Sequence, residues 1–520
     1  MIWLILILAF LLRFFNLNQS LWLDEAVQAI TAKGPFLGIF EELSGDFHPP
    51  LYHILLWVWV RVFGASEISL RIPSVLFGVG TILIIKKLTD YGLRINGLRI
   101  KKLTNCGLRI SGLIAAIFLA TAPFHIYYSQ EARMYSMATF FAALSMCFFV
   151  KIINELTNYE LRIKRLTDCE LTKLRINGLT DCGLRIRKLF CGYFVSTVCL
   201  IYSDYYGFLV LLAQIIGGAI VFRKNLNFYI SKFLYLFIPI FLLYLPWLPL
   251  LITQLKTGLT ATAAVPEWKN LVNASFLKAV PLTFVKFAIG RITIFDKKLY
   301  FLVAGIIFLI YGWVGGYKSY KSYKNNKYYK IILLWLLIPI AISWGTSLFI
   351  PNYQPFRLLL VLPAFYLLLT FGVFSFSDRV IRNLAVGKII LVNLISLGVY
   401  YFNPYFWRED WRGVANYLKK DQIPLIISSD TFAWPIVYYQ QEQNLIAVGK
   451  GVKKIEDEDK IDLARKISQI EGNKLAYTSY LADLYDPEKK IPSWLKEMGF
   501  DKIKEISFNQ ITVGEYKLTD

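Results

Sequence analysis

Phe233-Leu-Tyr-Leu-Phe-Ile-Pro-Ile-Phe-Leu-Leu-Tyr-Leu-Pro-Trp-Leu-Pro-Leu-Leu251 contains no charged residue. Ile331–Ile350 is a second uncharged, apolar run. Each can cross a bilayer core, which takes roughly 20 apolar residues. The whole chain agrees: 56% of its residues are hydrophobic and 18% charged, against about 45–50% and about 25% for an ordinary soluble domain. A soluble enzyme is thereby excluded. The first fifteen residues are apolar, with no basic start or small-residue cleavage site, and read as an uncleaved first span.

The net charge of +21 is unevenly held. From Asn403 onward there are 17 Lys+Arg and 19 Asp+Glu, so the excess belongs to the apolar part. Nucleic acid is not an expected partner, because the basic residues do not gather on one folded face. They gather in loops between spans: Lys86–Gly112, Lys151–Leu189, Arg223–Lys232, Tyr317–Lys330 and Ser377–Asn383. Such loops stay cytoplasmic. The intervening set, Asn16–Arg71, Ser129–Tyr135, Ser203–Tyr206, Lys256–Lys298 and Pro351–Arg357, is then outside. One topology fits: amino terminus inside, about eleven spans, carboxyl end outside. It lays Pro50–Phe63 as a buried or interfacial helix in the first outer loop, with a twelfth span as the alternative.

Two organisational features follow. Leu-Thr-Asp/Asn-Tyr/Cys-Gly/Glu-Leu-Arg-Ile recurs at Leu88–Ile95, Leu103–Ile110, Leu156–Ile163 and Leu179–Ile186. The spacing is irregular, so these are insertions into two cytoplasmic loops, 86–112 and 151–189, and not a solenoid. The domains expected are a membrane part, 1–402, and a small α/β tail, 403–520. In the tail, Trp411–Lys419 and Asp459–Ile470 read as helices. Leu425–Ser429, Asn444–Val448, Lys474–Thr478 and Gln510–Leu518 read as strands. The six cysteines imply no disulfide framework, since the tail has none.

The outer loops carry the residues with chemistry. Asp24 and Glu25 follow an apolar, Trp-containing segment at the membrane edge, where ionisable groups are costly. A carboxylate partly withdrawn from water suits a general base; acids at a helix start need no function. Asp46-Phe47-His48-Pro49-Pro50 sets His48 at a proline-fixed helix entry, where an imidazole can bond an anion. His53 and His125 read as structural. Glu131, Arg133 and Tyr135 fall in a tight outer turn that lipid would not accept. Arg71, Arg133 and Arg357 run against the positive-inside trend, and a guanidinium fork suits a phosphate. Asp204 and Tyr205 lie at another outer edge. There is no P-loop, no dinucleotide glycine motif and no Cys/His metal cluster. A nucleotide-carried substrate is therefore unsupported, and a lipid-carried one suits an outer site.

Taken in order, Trp22-Leu23-Asp24-Glu25, Asp46-Phe47-His48-Pro49-Pro50-Leu51 and Ser69-Leu70-Arg71-Ile72-Pro73-Ser74 resemble the protein O-mannosyltransferases and their bacterial relatives, among them the aminoarabinose transferases acting on lipid A. Tyr127–Tyr135, Leu245-Pro246-Trp247-Leu248-Pro249, Arg357–Pro363 and Glu409-Asp410-Trp411-Arg412 are similar to segments of the bacterial branch. All are membrane glycosyltransferases of the GT-C type. Where the mannosyltransferases continue Pro-Pro-Leu-Gly-Lys, this chain has Pro50-Leu51-Tyr52-His53. That leans to the bacterial branch, away from a protein acceptor.

The resemblance implies an α-helical polytopic membrane fold with an extracytoplasmic site in the cell membrane. A sugar, mannose-like or other, passes from a polyprenyl phosphate to a hydroxyl of a lipid, glycan or protein. Asp24 would be the base and Glu25 its helper. Arg71, Arg133, Arg357 and His48 would surround the phosphate. Asp46, Glu131, Tyr135, Asp204 and Tyr205 would meet sugar or acceptor. No cofactor is firmly implied, and room is left for a divalent cation. A transporter or flippase of lipid-linked substrate is the competing reading, and a tail that acts as a binding module on a membrane anchor is a third.

Overall fold

The computed structural model describes residues 1–95, 105–163, 179–440, 445–470 and 472–519. The two repeat insertions lie partly outside these residues. Seven of the described helices are long and apolar enough to cross a membrane, or eight if one bent pair counts as a single span. The count of about eleven also needs Ile2–Phe14, Leu179–Ile201 and Gly207–Val221. The first and last of these are shorter apolar helices.

The first helix, α1 (Ile2–Phe14), carries Arg13 wholly buried. The segment that follows, residues 15–66, folds into three short helices: α2 (Leu23–Lys33), α3 (Gly38–Gly45) and α4 (Leu51–Phe63). Helix α4 buries Tyr52, His53 and Leu56 and exposes Val58, Val62 and Phe63. Its 13 residues give roughly 20 Å of helix, short of a hydrocarbon core of about 30 Å. Helix α1 has the same length. Next come α5 (Glu67–Ile95) and α6 (Asn105–Ala120), the latter ending in a 60° bend before α7 (Pro123–Ser129). Pro123 occupies the first turn of α7, where a missing N–H is harmless.

Arg13 closes that bend. Its guanidinium donates to the carbonyls of Ala9 (3.0 Å), Ala120 (3.1 Å) and Leu119 (3.3 Å), to Ser129 Oγ (3.3 Å) and to His125 Nδ1 (2.7 Å). The carbonyls freed where α6 stops are thus satisfied by a charge that lipid would reject.

The innermost element is Pro355–Phe374, 89% buried. Its neighbour Phe308–Lys318 is a π-helix. At Gly372 a Cβ would come within 1.8 Å of the Val314 carbonyl oxygen, so only glycine lets the two backbones meet there.

The tail is a five-stranded sheet in the order β2-β1-β3-β5-β4. Strands β1 (Leu425–Ser429), β2 (Leu445–Gly449) and β3 (Lys474–Thr478) are parallel. Strand β5 (Ile511–Leu518) runs antiparallel to both β3 and β4 (Phe500–Phe508). Strand β4 was not anticipated, because Asp501, Lys502, Lys504 and Glu505 hide its alternation; these are the charges of a protected edge strand. Helices Trp434–Gln440 and Lys490–Glu497 also go beyond the sequence reading. The sheet domain rests on the α2–α4 segment and its neighbours. Arg412 pairs with Glu67 at 2.8 Å, and Tyr438 donates to the Ala65 carbonyl at 2.6 Å. Phe432, Leu484 and Tyr485 pack with Val265, Trp268 and Leu23.

Candidate active site

Helix α2 starts at Leu23, which puts Asp24 and Glu25 in its first turn. Successive helical residues diverge by about 100°, so the two acids face different surroundings. Glu25 turns inward and is 0% exposed. It holds Arg71 through both oxygens, at 2.8 and 2.5 Å, and accepts from the Ala132 backbone N–H at 2.8 Å. Arg408 Nε lies 3.8 Å from it. Arg71 spends its other donors on the carbonyls of Leu17 (2.7 Å), Gln19 (2.6 Å) and Ser20 (3.0 Å). A guanidinium has five N–H donors, and all five are in use. The structure therefore corrects two expected roles: Arg71 has no donor left for a lipid phosphate, and Glu25 faces its clamp and not a substrate.

Asp24 turns the other way and pairs with Arg133. Burial raises the proton affinity of the Asp24 carboxyl, with Arg133 pulling it down and Asp46 and Glu25 adding to the rise. The other arm of Arg133 reaches His48 Nε2 at 2.8 Å, so that nitrogen is the acceptor and the imidazole is neutral. Burial above all, joined by the charges of Arg133 and Arg357, holds His48 at about 3 despite Asp46. Asp46 stands between two histidines, 3.8 Å from His48 Nε2 and 3.9 Å from His53 Nε2. His53, read from sequence as merely structural, therefore backs this carboxylate and is itself tied to Gln28 at 2.7 Å.

Arg133 continues the row, its guanidinium 5.6 Å from the Trp22 ring and 5.2 Å from the Tyr135 ring. The Arg357 charge bears on His48, Tyr135 and Asp204, and Arg357 donates to the Asn352 carbonyl at 3.1 Å. Asp204 is buried, caps Tyr206 N–H at 2.8 Å, and is pushed up to about 6 by that burial. Tyr205 donates to Gln254 and accepts from Trp247 Nε1 at 2.9 Å. Gln254 in turn donates to the carbonyls of Leu43 (2.6 Å) and His48 (3.1 Å). Tyr205 thus braces the His48 turn from behind.

Glu131 is buried. Its Oε1 accepts from Arg408 at 3.0 Å, and its Oε2 has no protein partner. Arg408, outside the set expected from sequence, joins Glu131, Glu25 and the Gln130 carbonyl (3.2 Å). The signal was present in Trp407-Arg408-Glu409-Asp410, a charged run directly after the last apolar helix. Arg291 is a second omission. It donates to Tyr127 Oη at 3.1 Å, and nothing in its local sequence sets it apart.

The residues from five inter-helix segments thus meet at one end of the helical part. Among the described residues, no group of three or more His, Cys, Asp or Glu side chains could hold a metal ion. A separate groove of about 410 Å3 beside Phe190, Phe194 and Leu236 is nearly all hydrocarbon and carries none of these acids.

Two solved structures match the whole chain. One is ArnT from Cupriavidus metallidurans in the apo state, 12% identical over 98% of this chain and 97% of that one, with a TM-score of 0.52. The other is ArnT from the same organism bound to undecaprenyl phosphate, 10% identical over 98% and 97%, with a TM-score of 0.53. The fold is that of ArnT, a GT-C fold. No family model matches the chain, and no curated protein matches its sequence. Because the match to ArnT covers nearly all of both chains, it takes in the sheet domain as well as the helices.

Proposed function

We propose that this chain is a membrane glycosyltransferase. It takes a sugar from a polyprenyl-phosphate donor and passes it to an acceptor hydroxyl at the extracytoplasmic face of the cell membrane. One observation carries the reading: a carboxylate with raised proton affinity, Asp24, lies against Arg133 and near His48 and Arg357, in the fold of a protein crystallised with undecaprenyl phosphate. The outer placement rests on the basic loops at the opposite ends of the spans. Residues 1–402 carry the chemistry, and 403–520 form the accessory domain.

In this mechanism the acceptor hydroxyl gives its proton to Asp24 while its oxygen attacks the anomeric carbon. The bond from that carbon to the phosphate oxygen breaks, and the polyprenyl phosphate leaves with the electron pair. The phosphate gains one negative charge in doing so. Fixed guanidiniums in a water-poor site meet a growing charge without reorganising, and Arg133 and Arg357 supply them. His48 is neutral and donates or accepts a hydrogen bond, adding no charge. Asp46, Glu131, Tyr135, Asp204 and Tyr205 border sugar and acceptor. Arg71 and Glu25 hold the frame. A single displacement inverts the anomeric centre.

The test is Asp24→Asn in purified enzyme supplied with a labelled polyprenyl-phosphate sugar and membranes from cells lacking the protein. Loss of a general base costs about 10²–10⁴-fold in rate. Transfer within a few-fold of the unaltered enzyme sinks the assignment. Uptake of donor into proteoliposomes without glycoside formation favours a transporter instead.

A further inference from the structure

The tail presents a particular edge to Asp24. In its parallel part, β1 lies between β2 and β3. The chain leaves β1 for one neighbour and later returns to the other side, which makes the β1/β3 boundary a topological switch point. Open α/β sheets bind ligands in the crevice beyond the carboxyl ends of their strands at such a point. Here those ends are Ser429 of β1 and Tyr480, just past β3. Tyr480 packs in the same apolar cluster as Leu23, the residue before Asp24. The strand ends therefore lie on the side of the sheet domain that packs beside the Asp24 turn.

A second carboxylate waits there. Glu409 accepts from Trp411 Nε1 at 2.8 Å through one oxygen and from Tyr480 Oη at 3.0 Å through the other. The Asp24 charge is felt by both Glu409 and Tyr480. A carboxylate has about four acceptor sites, so two neutral donors leave Glu409 with half its capacity. Among the described residues it makes no ion pair, unlike Glu25, Glu131 and Asp24, though the Arg291 charge bears on it. Trp22 Nε1, next to the Asp24 turn, is a buried donor with no partner. Free acceptors and a free donor around one base match a molecule offering several hydroxyls, more than they match a single isolated one.

We infer that Glu409 and Tyr480 are the acceptor-positioning edge of the site, and that the acceptor is a polyhydroxylated carbohydrate whose neighbouring hydroxyl bonds Glu409. This rests on the transferase reading. The tail is then part of the site: it holds the acceptor while the membrane part holds the donor.

The experiment uses the full-length enzyme in detergent, a tritiated polyprenyl-phosphate hexose and membranes lacking the protein. Label is divided among protein, glycolipid and glycan, and Glu409→Gln and Tyr480→Phe are compared with the unaltered chain. Undecaprenyl phosphate binding is measured alongside as the fold control. Label is expected in glycolipid or glycan. Glu409→Gln is expected to raise the half-saturating amount of acceptor membranes about tenfold or more, the scale of a lost hydrogen bond to a charged group. It should leave the maximal rate at saturating acceptor within a few-fold, because the Asp24–Arg133 pair is untouched. Tyr480→Phe should move the half-saturation the same way by less. Undecaprenyl phosphate binding should hold in both. Label in protein, or an unchanged half-saturation in both variants, overturns the acceptor edge alone. Absence of any transfer by the unaltered chain overturns the transferase reading and the edge with it.

Discussion

Neighbouring residues with the same functional group can have opposite duties, and Asp24 and Glu25 are a plain case. Glu25 is clamped, so its charge is structural. Removing one partner of such a buried pair costs about 3–5 kcal/mol because the other charge is stranded. Glu25→Gln should therefore lower the thermal unfolding temperature of the protein in detergent and its yield, before any effect on chemistry is read. Asp24 is the proposed base. It works as a base only when ionised, and its surroundings hold the proton to higher pH than an ordinary aspartate does. Activity should fall as pH is lowered through that raised value, so the acid limb of kcat/KM lies above the usual aspartate range. An acid limb at or below that range would contradict the placement. The sequence located both acids, since charge at the membrane edge stands out. It could not show that Glu25 is clamped, because the clamp is Arg71, 46 residues away, whose donors are counted only once folded.

Elements show a similar division. Apolar runs announced the spans, and β1 and β3 were legible to the residue because short apolar runs between turn residues have few other readings. Strand β4 was hidden by its charges. The bend between α6 and α7 was also hidden, since nothing local demands it; Arg13, more than 100 residues earlier, stabilises the broken backbone. The contact of Gly372 with the π-helix is equally non-local. Gly372→Ala should force the innermost helix away from Val314 and leave less folded, monodisperse protein on size exclusion. Gly387→Ala, where a Cβ meets nothing within 4 Å, is the matched control and should behave as the unaltered chain. Equal behaviour of the two variants would show that the close approach is dispensable.

At the scale of the molecule, the site joins the two ends of the chain. Arg408, at the start of the tail, neutralises Glu131 and supports Glu25. Arg408→Ala should leave Glu131 buried without its cation, loosen the tail, and expose it to limited proteolysis at temperatures where the unaltered protein resists. Transfer should drop at least tenfold, given the cost of a stranded buried charge. A tail as protease-resistant as before would mean that the remaining contacts, such as Arg412 with Glu67, suffice. The sequence reading treated the tail as an accessory beside the chemistry; the structure places its first residues inside the charged cluster.

The Arg13 cluster has a further consequence, for biosynthesis. A growing chain delivers α1 to the membrane long before residues 119–129 exist. An arginine in a nascent span costs about 2.5–3.5 kcal/mol at the helix centre and less near its end, where the side chain reaches the headgroups. Arg13 sits one residue from the end of α1, so the first span can enter while its guanidinium waits at the interface. Arrival of the bent α6–α7 pair then draws the charge inward against Ala120 and His125. The opening segment is thus inserted provisionally and locked later, in an order set by translation.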